Sequence, residues 1–477
     1  MKPRPLPLAL AYLTFLSGCT QTMALRVPKW FDAQESHGTG QTHDHDHPTH
    51  EPRLSDKAIP LQVDDVPERP HPILEVGDPF LGTGEIRRGI EIPTGAVLQP
   101  SLLVYGTARL GAAAVDQGGT TITEVAGQVD LFANLQLSGT ERVLVGFRPL
   151  DQNGRFTSYV FEPASEEGWK NELNGRITTL FFEGDLGEIF PRLDPKDHGA
   201  LDYGLAVGRQ PLTLQEGLLL DDRIDAFGIT RNTLRPPDFS NLRLTGLFAW
   251  NQIHRDDGSE DSSTNLVGLL TEGDRKEQTL SLDVLWLNNS GDRTNAAFVG
   301  VGSVQRIGSL NTAFRAVGSF PFHGESTKTG RGGVFLSELS HNVRGREDLV
   351  YLNGYFGLEN FSSASRAPEL GGPLGRVGIL FGAVGLGRFP PAITNDPDNS
   401  FGGALGYQWF SEDQRTQIIV EIGGREQTRT ELGEFAIASR FSRALGQHVI
   451  FRMDGFVTAR ENDTPRSGFR TELDLKL

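Results

Sequence analysis

Hydrophobic and polar residues alternate with a period of two along most of this chain, from about residue 95 to the C-terminus. In the segment 128–137, valine, leucine and alanine occupy the odd positions, and polar residues occupy the even ones except at Phe132. The segments 448–460 and 469–477 repeat this alternation. Successive side chains of a β-strand point to opposite faces, so each segment predicts a strand with one apolar and one polar face.

The length of the alternating segments indicates the kind of sheet. Many run for roughly 9 to 14 residues and are separated by turn-rich sequences such as 138–140, 151–154 and 411–413. Strands of soluble sandwiches are most often about 5–6 residues long, whereas a tilted strand that crosses a bilayer needs about 9–11. The pattern predicts an all-β fold, an antiparallel transmembrane β-barrel of about 16–18 strands, with 18 as the single expected number.

Aromatic and glycine positions extend this prediction. Aromatic residues near segment ends are expected to form an interfacial girdle. They are Trp250, Phe320, Phe322, Phe389, Trp409 and Phe410. The glycines of segment 375–378 are expected to curve a strand. The alternative architecture is a soluble β-sandwich or propeller, in which the apolar face would pack on a second sheet and the charged face would meet water.

The first nineteen residues have the layout of an export signal. Lys2 and Arg4 precede an apolar run over 6–16, and Leu16-Ser17-Gly18-Cys19 follows. The run is too short to cross a bilayer as a helix. The ending resembles a bacterial lipobox, and Cys19 is the only cysteine of the chain. We therefore expect a lipoprotein signal peptide over 1–18 and a lipid on Cys19; an ordinary signal peptide is the alternative.

Residues 19–85 show no sustained periodicity and are rich in proline, histidine and charge, which predicts a disordered linker before a barrel domain over 86–477. Histidine and carboxylate side chains are good ligands for Zn, Cu or Ni, so this segment is a candidate metal-binding tract. Its candidate ligands are His37, His43, His45, His47 and His50. A solubilising linker without a metal is the alternative, and no other cofactor is expected.

Composition excludes several classes of protein. A net charge of −16 argues against nucleic acid as a partner, because phosphate binding needs clustered basic residues. With a single cysteine the chain cannot form an internal disulfide or a thiolate zinc site. Of its 45 basic residues 37 are arginines, which keep their charge in crowded polar surroundings. Arginine-rich usage is equally typical of a GC-rich genome.

One constellation carries a family resemblance. It consists of Gly208-Arg209-Gln210-Pro211, then Glu216-Gly217-Leu218, then Asp221-Asp222-Arg223-Ile224-Asp225-Ala226-Phe227-Gly228. About 20 residues here resemble the alginate-export and porin-like barrels. The resemblance implies a polar pore lined by charges, with loops folded toward the lumen. The candidate lumen or constriction residues are Arg209, Gln210, Asp221, Asp222, Arg223 and Asp225. A structural salt-bridge cluster in the barrel wall is the alternative role for the charged ones.

Together these features predict a channel in the outer membrane of a Gram-negative bacterium, anchored through Cys19, for passive passage of small polar or charged solutes. The expected partners are outer-membrane lipid and those solutes, and a homo-oligomer is left open. Two other functions remain: a metal-handling protein that uses the histidine tract, and a soluble β-domain lipoprotein that binds or scaffolds. An enzyme is not expected, because the residues of 337–342 lack the surroundings of a nucleophile and its base.

Overall fold

The computed structural model describes residues 71–77, 88–196, 198–291, 294–322, 328–430 and 432–477. The predicted signal peptide, Cys19, the predicted disordered linker up to residue 70 and the histidine tract lie outside the described residues. None of the helices in the described part of the chain has the length and apolar character needed to cross a membrane.

The described residues form almost nothing but β-strands. The strands are β1 (Leu74–Val76), β2 (Ile90–Glu91), β3 (Val97–Leu98), β4 (Ser101–Asp116), β5 (Thr121–Gln136), β6 (Arg142–Phe147), β7 (Asp151–Gln152), β8 (Arg155–Glu162), β9 (Gly168–Lys170), β10 (Ile177–Asp185), β11 (Tyr203–Leu214), β12 (Leu220–Leu234), β13 (Asn241–Asn251), β14 (Thr264–Asp274), β15 (Gln278–Asn289), β16 (Ala296–Ile307), β17 (Leu310–Pro321), β18 (Gly332–Asn342), β19 (Leu349–Glu359), β20 (Ser400–Phe410), β21 (Thr416–Gln427), β22 (Gly433–Leu445), β23 (Val449–Arg460) and β24 (Arg466–Lys476). A short helix, α1 (Leu186–Ile189), and 3-10 turns at Pro191–Leu193, Gln215–Gly217 and Pro368–Leu370 complete the elements.

The strands close into a barrel of 18 antiparallel strands, which confirms the predicted fold class. From β10 to β24 each strand pairs with the next one along the chain, and β24 pairs with β4 to close the ring. β5 pairs with β6 over one half of its length and with β8 over the other half. β6 and β8 are therefore two halves of one wall strand, interrupted by an excursion over 148–154.

The two faces of the wall differ as the alternation predicts. On the outer face, Leu405, Val457 and Phe469 are each half-exposed or more. On the inner face, Arg470 and Glu472 are each only 1% exposed. In lipid every backbone polar group must be paired within the protein, and a closed barrel with an apolar outer face meets that requirement. This outer face is incompatible with the soluble sandwich or propeller and identifies a membrane barrel.

The connections at the two ends of the barrel differ in length. The end that holds the start of β4 and the last residues of β24 has mostly short turns, such as 275–277, 308–309 and 446–448. The opposite end carries longer connections, including 252–263, 322–331 and 360–399. Outer-membrane barrels have short periplasmic turns and longer extracellular loops. The first end is therefore the periplasmic one.

Two sequence-based expectations are wrong. Segment 375–378 does not curve a strand, because it lies in the connection 360–399 between β19 and β20. Phe389 lies in the same connection and is buried against Phe456, with the two ring centroids 5.4 Å apart. By contrast, Trp250 and Phe320 are well exposed near the extracellular ends of β13 and β17, as a girdle requires.

Leu405 lies at the centre of β20 on the lipid-facing side and is 50% exposed. Leu405→Arg should destabilise the barrel and lower its free energy of unfolding from lipid vesicles by about 2–4 kcal/mol, because a charge near the bilayer midplane is poorly solvated. Denaturant titration of refolding into vesicles measures this change. Leu405→Ile, which keeps the apolar surface, should change the stability by less than about 1 kcal/mol. Equal stabilities for the two variants would contradict a lipid-facing position.

Candidate functional site: the lumen and its inward segments

Two parts of the chain fold into the lumen. The first is the connection 360–399, here called the lumen segment; residues 361–367 at its start are all buried. The second is the end of the β11–β12 hairpin, residues 211–224, here called the inward hairpin. Gln215 at its tip donates to Asp283 of β15 at 2.7 Å, and Glu216 pairs with Arg315 of β17 at 3.1 Å. The hairpin tip therefore contacts the inner face of strands well removed from its own.

Backbone hydrogen bonds fasten the lumen segment to the inward hairpin. The Ala364 amide donates to the Leu219 carbonyl at 2.8 Å, and the Ala367 amide donates to the Asp221 carbonyl at 2.9 Å. Between them, the Asp221 amide donates to the Ser365 carbonyl at 3.0 Å. The two segments thus share a short parallel ladder, and each satisfies backbone groups that the other buries.

A hydrophobic cluster lies where these segments meet the wall. Leu218, Leu219 and Leu220 of the inward hairpin are no more than 1% exposed. They belong to one buried cluster with the lumen segment and with inner-face residues of the wall. The lumen-segment members are Phe361, Ala364, Leu374, Val377, Leu380, Phe381, Phe389, Ala392 and Ile393. Burial of this apolar surface is what stabilises a folded segment inside an otherwise polar lumen.

Glu421 of β21 anchors the middle of the lumen segment. Its fully buried carboxylate accepts hydrogen bonds from the amides of Ile379 at 2.7 Å and Leu380 at 3.3 Å, and from the Tyr351 hydroxyl at 2.6 Å. At Gly378 the backbone has φ 58°, and a Cβ there would lie 2.5 Å from Oε1 of Glu421. Glycine is therefore required where the segment meets this carboxylate.

Further contacts tie the segment to β4 and β22 of the barrel wall. Arg109 of β4 donates to the carbonyl oxygens of Val384 at 3.1 Å and Gly385 at 3.4 Å. The carboxylate of Glu434 on β22 accepts from the amide and the hydroxyl of Thr394 at 2.9 and 3.1 Å. The lumen segment consequently crosses from its own strands to β4 and β22 and narrows the path through the barrel.

Four arginines from adjacent strands form a cluster on the inner face, here called the arginine cluster: Arg440 (β22), Arg452 (β23), Arg470 (β24) and Arg109 (β4). Glu472 pairs with Arg109, Arg452 and Arg470 at 2.9, 3.1 and 2.7 Å. Asp454 pairs with Arg440 at 2.5 Å and with Arg470 at 2.6 Å. Four guanidinium groups therefore form ion pairs with two carboxylates, and Glu421 and Asp474 place further acidic groups beside Arg440 and Arg109.

Glu369 of the lumen segment connects three elements. Its carboxylate lies 2.8 Å from Arg223 of the inward hairpin and 3.3 Å from Arg148, where the excursion 148–154 begins. Arg148 also pairs with Asp130 of β5 at 2.5 Å. Burial alone would raise the pKa of Glu369, but the two arginines, Arg223 foremost, hold its pKa below the usual value. Glu369 is therefore an anion at neutral pH.

The structure places the predicted lumen residues in two groups. Asp221 pairs with Arg376 of the lumen segment at 2.6 Å, Asp222 accepts from His254, and Arg223 pairs with Glu369. Gln210 is 2% exposed on the inner face of β11. All four of these residues lie in or directly beside the inward hairpin.

The other two predicted residues, Arg209 and Asp225, pair with each other at 2.9 Å. Asp225 also accepts from Asn251 at 2.8 Å, and Arg209 donates to the Ile177 carbonyl at 3.0 Å. The register of β12 with β13 shifts at Asp225, so alternation does not assign these side chains to one face. Their place in the lumen stays a prediction.

Sequence reasoning missed most of the lumen segment and the arginine cluster. The available signal for the segment was a long stretch between β19 and β20, rich in glycine and proline, in which hydrophobic residues occur without the period of two. Arg440, Arg452 and Arg470 lie on the polar side of well-alternating strands. Their convergence could not be read from the sequence, because it depends on strand register.

The described residues also bear on metal binding and on segment 337–342. No group of three histidine, cysteine or acidic residues arranged to hold a metal ion occurs among the described residues. In segment 337–342, Glu338 pairs with Arg315 at 2.5 Å, and His341 Nδ1 lies 3.0 Å from the Ser309 carbonyl oxygen. Neither side chain is placed as a base for the serines of that segment.

Glu421→Gln should loosen the lumen segment. The carboxylate of Glu421 accepts from two backbone N–H groups, and a glutamine side chain offers only one acceptor oxygen for them. We expect amide exchange at Ile379 and Leu380 to lose protection equivalent to about 1–3 kcal/mol, measured by hydrogen exchange with mass spectrometry in detergent. Glu426→Gln, at an exposed position of the same strand, is the matched control and should leave exchange unchanged. Equal protection in both variants would show that Glu421 is not the anchor.

Comparison with known proteins adds information on the fold. No family model and no curated protein sequence matches the chain. Among solved structures, Pseudomonas aeruginosa OccK2 (OpdF) matches with a TM-score of 0.54 and 12% identity, over 79% of this chain and 97% of that chain. A BenF-like porin from Pseudomonas fluorescens Pf-5 matches with a TM-score of 0.52 and 12% identity, over 79% and 99%.

OccK2 in complex with glucuronate matches at a TM-score of 0.52 and 12% identity, over 79% and 98% of the two chains. Identities this low establish likeness of fold alone. The described residues therefore have the barrel fold of outer-membrane porins of Gram-negative bacteria.

Proposed function

We propose that this protein is an outer-membrane channel for passive diffusion of small polar solutes, with a preference for anionic ones. The observation that carries the proposal is the arginine cluster on the inner face. Arg109, Arg440 and Arg452 keep about a fifth to a quarter of their side-chain surface exposed. These partly exposed guanidinium groups lie on the inner face that the lumen segment crosses, and charge at a constriction biases which ions pass.

The constriction would be formed by the inward hairpin and the lumen segment together. Asp221, Asp222 and Arg223 line or support it, and Glu369 provides an opposing negative charge beside Arg223 and Arg148. Acidic and basic groups facing each other at one level produce a strong transverse field and a narrow passage. Such a site selects solutes by size and charge together.

The proposed solute class is a small hydroxylated carboxylate. Glucuronate, bound in the OccK2 structure, combines one carboxylate with several hydroxyl groups. Guanidinium groups suit the carboxylate, and the paired carboxylates and backbone carbonyls of the lumen wall suit the hydroxyls.

We also propose that Cys19 carries a lipid after removal of residues 1–18. The basis is the lipobox-like sequence Leu16-Ser17-Gly18-Cys19. A homo-oligomer is compatible with the flat apolar outer face, which can serve equally against lipid or against another barrel.

Planar-bilayer recordings test the channel and its selectivity. The purified protein should give conductance steps with a reversal potential that indicates anion preference. Glu369→Gln removes the negative charge between Arg148 and Arg223, so the anion-to-cation permeability ratio should rise by about twofold or more. Glu277→Gln, in an exposed periplasmic turn, should leave the ratio unchanged. Absence of conductance steps at any voltage would contradict the channel, and cation preference would contradict the role of the arginine cluster.

A second function is metal capture by the histidine tract, and the density of imidazole and carboxylate side chains over 37–51 supports it. We propose that His37, His43, His45, His47 and His50 bind a divalent ion such as Zn, Cu or Ni.

Deletion of residues 36–51 should abolish zinc binding by the full-length protein, measured by isothermal titration calorimetry, and should leave single-channel conductance unchanged. Replacing the five histidines with asparagine should have the same effect while keeping the length of the tract. Zinc binding that survives both changes would contradict this proposal. A parallel loss of conductance would show instead that the tract belongs to the channel itself.

A further inference from the structure

One histidine joins three of the elements that narrow the lumen. His254 lies in the connection 252–263 between β13 and β14 and is 5% exposed. Its Nδ1 donates to Oδ2 of Asp222 at 2.9 Å, because a carboxylate can only accept. The Ser365 hydroxyl of the lumen segment donates to the same Oδ2 at 2.5 Å. A single carboxylate oxygen therefore links the extracellular connection, the inward hairpin and the lumen segment.

Backbone groups strengthen this junction. The His254 amide donates to the Ser365 hydroxyl oxygen at 2.9 Å, and the Arg366 amide donates to the His254 carbonyl at 3.2 Å. Arg366 also donates to the Gly217 carbonyl at 2.8 Å. Displacement of the first part of the lumen segment would therefore break contacts to both other elements at once.

The other ring nitrogen makes no contact that a change of protonation would disrupt. Nε2 of His254 is buried and has no hydrogen-bond partner among the described residues. Gain or loss of a proton at Nε2 therefore breaks no protein contact and changes only the charge on the ring that Asp222 binds. A hydrogen bond from a charged donor to a carboxylate is roughly twice as strong as a neutral one.

We propose that His254 is a pH-sensitive latch: its protonated imidazole holds the lumen segment against the inward hairpin, and loss of the proton at alkaline pH loosens the segment and alters flow through the lumen. Only the change in flow through the lumen rests on the proposed channel function. The fastening of the segment can be measured without any conductance.

The charges around His254 favour its protonated form. Asp222 comes from β12, Glu260 and Arg255 from its own connection, and Arg366 and Glu369 from the lumen segment. Burial alone would lower the pKa of His254, but the bond to Asp222, together with the charges of Asp222, Glu369 and Glu260, raises it above the usual value. The stabilisation from protonation is thus complete at low pH and is lost as pH rises through the raised pKa.

Two nearby carboxyl groups also titrate in this range. Burial, with Asp396 as neighbour, raises the pKa of Asp256 to about 6 and that of Asp398 to about 7. Both become charged as pH rises, and their repulsion would loosen the same region in the same direction. The experiment must therefore separate their contribution from that of His254.

Limited trypsin digestion in detergent micelles, read by mass spectrometry at Arg366, Arg376 and Arg388, measures how firmly the segment is held. In the wild type, cleavage relative to an exposed site such as Lys276 should rise about five- to tenfold from pH 6 to pH 9. His254→Asn keeps a donor near the Nδ1 position but is neutral throughout, so its cleavage should be high at both pH values. His448→Asn, in a periplasmic turn where the ring makes a comparable bond to the Lys476 carbonyl, is the control and should behave as wild type.

Two further variants complete the test. Asp398→Asn should retain the His254-dependent rise, and Asp222→Asn should shift the histidine titration, followed by NMR of labelled histidine, to lower pH. The latch is refuted if His254→Asn and wild type show the same pH profile, or if Asp398→Asn alone removes the rise. A latch seen by digestion in a protein without conductance would refute the channel and leave the latch in place.

Discussion

Closure of the sheet is the constraint on which the rest of this structure depends. A strand in hydrocarbon has no water to satisfy its amides and carbonyls, so every edge must be paired, and the pairing of β24 with β4 removes the last open one. Once the ring is closed, the period of two divides each strand between lipid and lumen. Apolar residues such as Leu405 and Val457 then face outward, and Arg470 and Glu472 face inward.

Closure of the ring also leaves a wide lumen, which the inward hairpin and the lumen segment partly fill. An 18-stranded ring encloses more space than wall side chains can fill. The lumen segment and the inward hairpin occupy part of it, fastened by Glu421, by the ladder between Leu219 and Ala367, and by one apolar cluster. The remaining polar wall carries the arginine cluster with its paired carboxylates. The proposed selectivity by charge and the stability of the segment both depend on ionic side chains of this inner face, and Arg109 belongs to both sets of contacts.

The sequence predicted the wall well and the lumen only in outline. Alternation, segment length and turn spacing depend on local chain geometry, so they gave the fold class and the strand number. Of the constellation at 208–228, Asp221, Asp222 and Arg223 lie in the inward hairpin, whereas Arg209 and Asp225 pair with each other. The predicted role of these residues in a constriction stays a prediction. Segment 375–378 was expected in a strand, although a glycine-rich stretch fits a packed loop equally well.

Local sequence patterns define the two faces of the wall: the period of two requires a sheet with one apolar and one ionic side, and the strand length matches a bilayer. Which distant residues meet depends on the folded chain. The arginine cluster needs the register of β22, β23, β24 and β4, and the junction of His254, Asp222 and Ser365 needs three connections folded into one space. Register and loop packing are set by long-range contacts, which no local pattern encodes.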